Sequence, residues 1–295
     1  MRCRAPLAPP GASVMIAVMD RLPPGLYIVA TPIGNLADLS PRAAETLRQA
    51  DLILAEDKRV SAKLRAFAGA KAPMATYHDH TSEAEREAIV ARLGSEVVAL
   101  ISDAGTPLIS DPGYKLVRAA RSAGHAVHAI PGPSAAIAAL TLSGLPTDRF
   151  LFAGFLPPKD KARADAIAEL ASVRATLVLY ESGPRLGPAL AALAAGLGRR
   201  EAAVAREITK LHEECVTGSL EDLAARYAEV PPKGEIVIVV GPPAEREAVS
   251  DNELDAALDE ALSRLSPSRA AAEVAALLGV PRKRAYARAL ERSAK

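Results

Sequence analysis

The chain has 295 residues, 49% of them hydrophobic and 24% charged, with a formal net charge of +1. That length accommodates one large or two ordinary domains with full cores, and the composition excludes a disordered chain or a membrane bundle. A near-neutral balance means that a polyanionic partner has to be met by local patches and not by overall charge.

In chain order, residues 1–24 read as a Pro-rich flexible extension. Arg2 and Arg4 precede a short apolar run, Val14 to Met19, which Asp20 and Arg21 end too early for a secretory signal; Met15 and Met19 are alternative starts. From Leu26 onward short apolar runs alternate with helix-period segments, the pattern of an α/β architecture. Strands are expected at 26–30, 52–55, 97–101 and 126–130. Ser40-Pro41 and Asp111-Pro112 each offer a side-chain cap before a proline at a first helical position. A second series of strands is expected at 149–154, 176–180, 202–205 and 235–240. Gly132, Pro133, Gly144 and Pro146 punctuate the segment between the two series and mark a hinge. The expected organisation is an α/β domain at 25–134, another at 135–243, and a ligand cleft between them.

A helical appendix, 244–295, follows Gly241-Pro242-Pro243. Ser250 to Glu253 has the capping-box pattern, and Leu254, Leu258, Leu262 and Leu265 share one face of an acidic helix. A second helix stops at Gly279, and a third carries Arg282, Lys283, Arg284, Arg288, Arg292 and Lys295 against Glu291 alone. Such a lopsided tail suits a nucleic-acid partner.

Chemistry concentrates where strands end. Thr31-Pro32-Ile33-Gly34-Asn35, the long Ser102 to Gly113 loop, Ile130-Pro131-Gly132-Pro133-Ser134-Ala135 and Tyr180-Glu181-Ser182-Gly183-Pro184-Arg185 are all small-residue polar loops at strand ends, where open α/β sheets bind ligands. There is no GxGxxG and no GxxxxGK[ST], which disfavours a dinucleotide or P-loop site. Cys3 and Cys215 make neither a disulfide framework nor a zinc motif, and His78, His80 and His212 lack ligand-spaced partners, so no metal is expected. No run approaches the ~18 apolar residues of a membrane span, so a cytoplasmic chain with no membrane partner is expected.

Taken together, LYIVATPIGNLADLS, LILAEDKR, SDAGTPLISDPG, IPGPSA, LPTDRFLFAGFLP, YESGPR and KGEIVIVV resemble the tetrapyrrole-methylase superfamily. Within it they resemble the branch of small-subunit ribosomal RNA cytidine 2′-O-methyltransferases. The resemblance implies two α/β domains holding S-adenosylmethionine in the cleft between them, a homodimer, and small-subunit RNA as substrate. It implies cofactor contacts from Pro32, from Gly105, Thr106, Leu108 and Ile109, from Ser134 and Ala135, and from Tyr180, Glu181, Gly234, Glu235 and Ile236. Lys58 stands where the family pattern has threonine, and His78 to Glu83 also departs from it.

For such a reaction the protein chiefly holds a ribose oxygen in line with the transferred methyl. Asp103, Glu56 and Asp57 are the candidate groups for assisting proton removal. Bracing the loop, or pairing with Lys58, Arg59, Arg185 or Arg206, is the plain structural alternative for them. Lys159, Lys161 and Arg163, together with Arg185 and the tail residues Arg282, Lys283 and Arg284, are the candidate RNA-facing cations. The competing expectations are a corrin or porphyrin C-methylase of the same superfamily and a non-catalytic RNA-binding ribosome-assembly protein.

Overall fold

The structure, a computed structural model, describes residues 21–244 and 250–293. Most of the N-terminal extension, including Cys3 and both alternative starts, and also Lys295, lie outside the described residues. By the pattern of internal contacts the chain divides into two compact units, with Pro242 the last residue of one and Pro243 the first of the other.

The first unit opens with β1 (Gly25–Val29), α1 (Pro41–Gln49), β2 (Leu52–Ala55), α2 (Lys58–Ala68), β3 (Met74–Thr76), α3 (Glu83–Arg92), β4 (Val97–Leu100), α4 (Tyr114–Ser122) and β5 (Val127–Ile130). The five strands form a parallel sheet in the order β3-β2-β4-β1-β5. Parallel strands covered on both faces read as unbroken apolar runs, and alternate residues here serve opposite cores. Tyr27, Val29, Ile53, Ala55 and Ala99 pack on one face, while Leu26, Leu52, Leu54, Val98 and Leu100 pack on the other.

Then come α5 (Ala135–Leu142), β6 (Phe150–Phe155), α6 (Asp160–Ala171), β7 (Thr176–Ser182), α7 (Gly183–Leu197), β8 (Glu201–Arg206), β9 (Glu214–Ser219), α8 (Leu220–Arg226) and β10 (Glu235–Val240). Their sheet has the order β6-β7-β10-β8-β9, with β6 and β7 parallel and the other pairs antiparallel. The expected hinge segment therefore contains a helix of this second layer. Ala136, Ala139 and Leu140 of α5 share a core with Val178, Ala203, Ala205, Val237 and Val239.

Two expected caps differ. Ser40 accepts from the Ala43 amide and Pro41 is the first residue of α1, as the dipeptide suggests. Asp111-Pro112 does not open α4; that helix begins at Tyr114 behind Gly113, so Asp111 is released from capping. Ser134 occupies the cap position of α5 but its side chain caps nothing.

The second unit comprises α9 (Asp251–Leu262), α10 (Pro267–Leu278) and α11 (Arg282–Ser293) around Leu254, Leu258, Ala270, Val274, Ala285 and Ala289. Ser250 accepts from the Glu253 amide, and Gly279 ends α10 in the left-handed conformation. The acidic helix and the basic helix answer one another. Asp251, Asp255 and Asp259, one turn apart, pair with Arg284, Arg288 and Arg292, one turn apart. Three of the tail's cations, Arg284 among them, are thus paired within the unit, while Arg282 and Lys283 stay exposed. No described helix is long and apolar enough to cross a membrane.

Candidate active site

Three strand-end loops of the first sheet are tied into one wall. The Thr31 amide donates to the Gly105 carbonyl at 2.8 Å and the Gly105 amide returns a bond at 3.1 Å. The Ser102 hydroxyl donates to the Gly105 carbonyl at 3.1 Å, and the Thr106 hydroxyl donates to the Pro133 carbonyl at 2.9 Å. The loop's backbone is unusual for its sequence, since Leu108 (φ 72°) and Ser110 (φ 62°) are left-handed. Non-glycine residues held this way cost of order 1–3 kcal/mol each and cluster at ligand sites.

This wall faces the β7 and β10 ends of the second sheet across a cavity of about 340 Å³. Gly105, Thr106, Ile109, Ala135, Tyr180, Glu181, Gly234, Glu235 and Ile236 all line it. Pro32 lines an adjoining cavity instead, and Asp103 lines both. Leu108 packs into the core below the loop. Ser134 lies behind the wall as a hydrogen-bond partner of Tyr180, whose hydroxyl pKa is raised by burial. Phe152 and Phe155 meet the Tyr180 ring edge-on at 4.9 and 5.6 Å between centroids, so Tyr180 is a fixed surface.

The sequence reading missed Asp111, which lines the cavity with Ile33, Phe155 and Ile208. A cap before a proline had explained that aspartate fully; the later start of α4 turns it inward. Burial pushes its carboxyl up to about 6, the Glu56 and Asp103 carboxylates add to the shift, and a hydrogen bond from Ser102 opposes it. Glu56 is raised in turn, first by burial and then by Asp103 and Asp79.

The other candidate carboxylates separate. Asp57 caps α2, accepting from the Arg59 amide at 2.7 Å, and lines neither cavity. Its own amide donates to Asp103 Oδ1 at 3.3 Å, while no donor among the described residues engages Asp103 Oδ2. Glu56 lies beside the cavities but on neither wall. Among the described residues, no three His, Cys, Asp or Glu side chains come together to hold a metal ion.

The candidate cations also divide. Arg185 donates to the Leu156 carbonyl at 2.5 Å and pairs with buried Glu181 at 3.2 Å, so it braces the cavity wall. Arg163 is engaged by Asp160 at 2.6 Å, whereas Lys159 and Lys161 are exposed at the start of α6.

The lining suits a cationic, partly apolar small molecule. Asp103 and Asp111 supply negative charge, Glu181 and Glu235 are paired with Arg185 and Lys210, and Ile33, Ile109, Phe155 and Ile208 offer surface for a flat ring. S-adenosylmethionine, with its sulfonium, ammonium and adenine, fits that donor set.

Comparison with known proteins agrees with the fold. The model of tetrapyrrole (corrin/porphyrin) methylases matches residues 25–224, and that of the RsmI C-terminal HTH domain matches residues 248–293. The chain is 56% identical over 272 residues to ribosomal RNA small subunit methyltransferase I of Erythrobacter litoralis, covering 92% of this chain and 96% of that protein. It is 50% identical over 273 residues to the protein of that name from Mesorhizobium japonicum, covering 92% of each. Diphthine synthase has the same fold, with a TM-score of 0.58 at 18% identity over 73% of this chain and 89% of that one. So does uroporphyrin-III C-methyltransferase from Thermus thermophilus complexed with S-adenyl homocysteine, with a TM-score of 0.50 at 24% identity over 74% of this chain and 97% of that one. The chain belongs to the tetrapyrrole (corrin/porphyrin) methylase family and, within it, to the ribosomal RNA small subunit methyltransferase I proteins.

Proposed function

We propose that this chain methylates a cytidine ribose 2′-oxygen in small-subunit ribosomal RNA, with S-adenosylmethionine as methyl donor, in the cytoplasm. The observation that carries the reading is the acidic, half-apolar cavity whose wall also forms the wall of a second cavity, with Asp103 on both. When bound, S-adenosylmethionine supplies a methyl group already activated on sulfur. Backbone at Gly105, Thr106, Gly234 and Glu235, the Tyr180 ring and the Asp111 carboxylate hold the ligand. Asp103, with Oδ1 fixed by the Asp57 amide, receives the ribose hydroxyl proton on Oδ2. Such general-base help contributes about 10²–10⁴ in rate. Glu56 keeps negative charge beside Asp103, and Asp57 serves by capping and bracing.

Lys159, Lys161, Arg282 and Lys283 are the exposed cations of the earlier set and guide RNA phosphates. A homodimer is supported by apolar side chains exposed around α5 and the edge strand β6, namely Ile137, Leu142, Phe150 and Leu151. The macrocycle-methylating alternative is less well supported, because corrins and uroporphyrins bear many carboxylates that an acidic site repels.

The test is methyl transfer from labelled S-adenosylmethionine to small ribosomal subunits lacking the modification, followed by nuclease digestion. Label in 2′-O-methylcytidine is the expected result. Measurable cofactor binding with no label in RNA would overturn the reading.

A further inference from the structure

The second cavity, about 350 Å³, shares Ile33, Asp103, Ala104 and Glu235 with the first, and its remaining walls come from the loop after β1, from α2 and from Lys210. Lys210 is placed there by a strained turn: Glu207 (φ 50°) and Thr209 (φ 66°) are both left-handed. The turn comes close to two glycines. A Cβ on Gly34 would lie 2.5 Å from Lys210 Cγ, and one on Gly234 would lie 2.2 Å from Glu207 Oε1. Glu207 and Glu235 fix the Lys210 ammonium at 3.0 and 3.1 Å. Burial works against that charge, yet the two carboxylates raise the lysine's pKa.

Opposite stands α2. Lys63 lines the cavity and is exposed, with no hydrogen-bond or ion-pair partner among the described residues. Val60 and Phe67, three residues before it and four after, share its helix face and are 51% and 56% exposed. An unpaired cation between an exposed aliphatic and an exposed aromatic side chain, beside a cavity, matches what an unstacked nucleotide requires. Cations take the phosphate and apolar faces take the base. Glu207, Glu235 and Lys210 form a closed cluster with one net negative charge, so of the two cations lining this cavity Lys63 is the one left open to a phosphate.

We infer that the second cavity and the exposed face of α2 seat the target nucleotide of a single-stranded RNA segment, with Lys63 facing phosphate and Val60 and Phe67 facing base. The inference rests on the RNA-methylating reading above. It adds α2 to the cations of α6 as an RNA-facing surface, and it brings the ribose to the boundary that Asp103 shares between the two cavities.

The test uses the full chain and Lys63→Glu, with Lys63→Arg and Phe67→Ala beside it. Lys63→Glu is expected to raise KM for the small subunit about tenfold and to reduce the salt slope of log KM by about 1, as the loss of one phosphate contact does. Cofactor affinity stays within about twofold, Lys63→Arg keeps the parent's salt slope, and Phe67→Ala raises KM with the salt slope unchanged. Anisotropy of a labelled cytidine-containing oligoribonucleotide, without cofactor, reads the cavity independently of turnover. If the parent methylates no RNA, the proposed function fails. If Lys63→Glu leaves oligonucleotide affinity and its salt dependence unchanged, this inference fails whatever the turnover.

Discussion

Asp111 should weaken the empty protein and strengthen the loaded one. Raising its carboxyl from 3.8 to about 6 disfavours the ionised form by about 3 kcal/mol, at 1.36 kcal/mol per tenfold change in the proton equilibrium. The side chain is half-buried, so water screens part of that cost and about 1–2 kcal/mol is the working figure. The folded chain holds this proton more tightly than the unfolded one. The cost is therefore absent at pH 4, grows as pH rises, and is complete above about pH 6. Asp111→Asn removes the charge while keeping the shape. It should raise the melting temperature at pH 8 by about 2–6 °C and change it little at pH 4, read by calorimetry of parent and variant at each pH. The same variant should bind S-adenosylmethionine about 10- to 100-fold more weakly by titration calorimetry, because a charge-assisted contact to a cationic ligand is lost. A melting difference equal at both pH values, or undiminished cofactor affinity, would refute the reasoning.

Asp103→Asn keeps the acceptor for the Asp57 amide and removes the base, so single-turnover methyl transfer should fall about 10²–10⁴-fold with cofactor affinity nearly unchanged; a fall below fivefold would remove Asp103 from proton transfer. Gly234→Ala forces its new methyl into the Glu207 side chain at a φ of 99°, and should cost about 1–3 kcal/mol in urea denaturation. Asp255 is held below the ordinary carboxylate range, first by its hydrogen bond from Arg288 and also by Arg292, so the pairing it contributes is present at neutral pH and is lost as pH falls through its lowered pKa. Asp255→Asn should speed amide exchange across α9 and α11 at pH 7, with the difference fading as pH falls through the lowered pKa; slow exchange retained at pH 7 would show the charged ladder to be dispensable.

What could be read in the chain differs element by element. The central strands announce themselves, since residues buried on both faces must be apolar throughout, as 97–100 are. Two strands escaped. Met74–Thr76 has only three residues and is incompletely buried, and Glu214–Ser219 is a polar edge whose alternation is weak. The strand-end loops were legible as places of close backbone approach, which restricts their composition to small and turn-forming residues, while the cofactor contacts on them came from the resemblance. Nine of the twelve cofactor positions lie on the cavity wall. The cations were not legible, because a run of positive charge does not show which partner it meets. Arg185 closes on Glu181, and the tail arginines close on the aspartates of α9.

By itself, then, the sequence determined the α/β alternation, the break before the helical appendix, and the loops able to approach a small ligand, since each follows from local periodicity, glycine and proline placement, and capping. The direction of β8, β9 and β10, the inward turn of Asp111, the bridging place of Asp103 and the pairing of Lys210 with Glu207 and Glu235 were decided only by tertiary structure. These depend on groups far apart along the chain meeting in space, where burial and the field of neighbouring charges, neither encoded in any local window, set what each side chain can do.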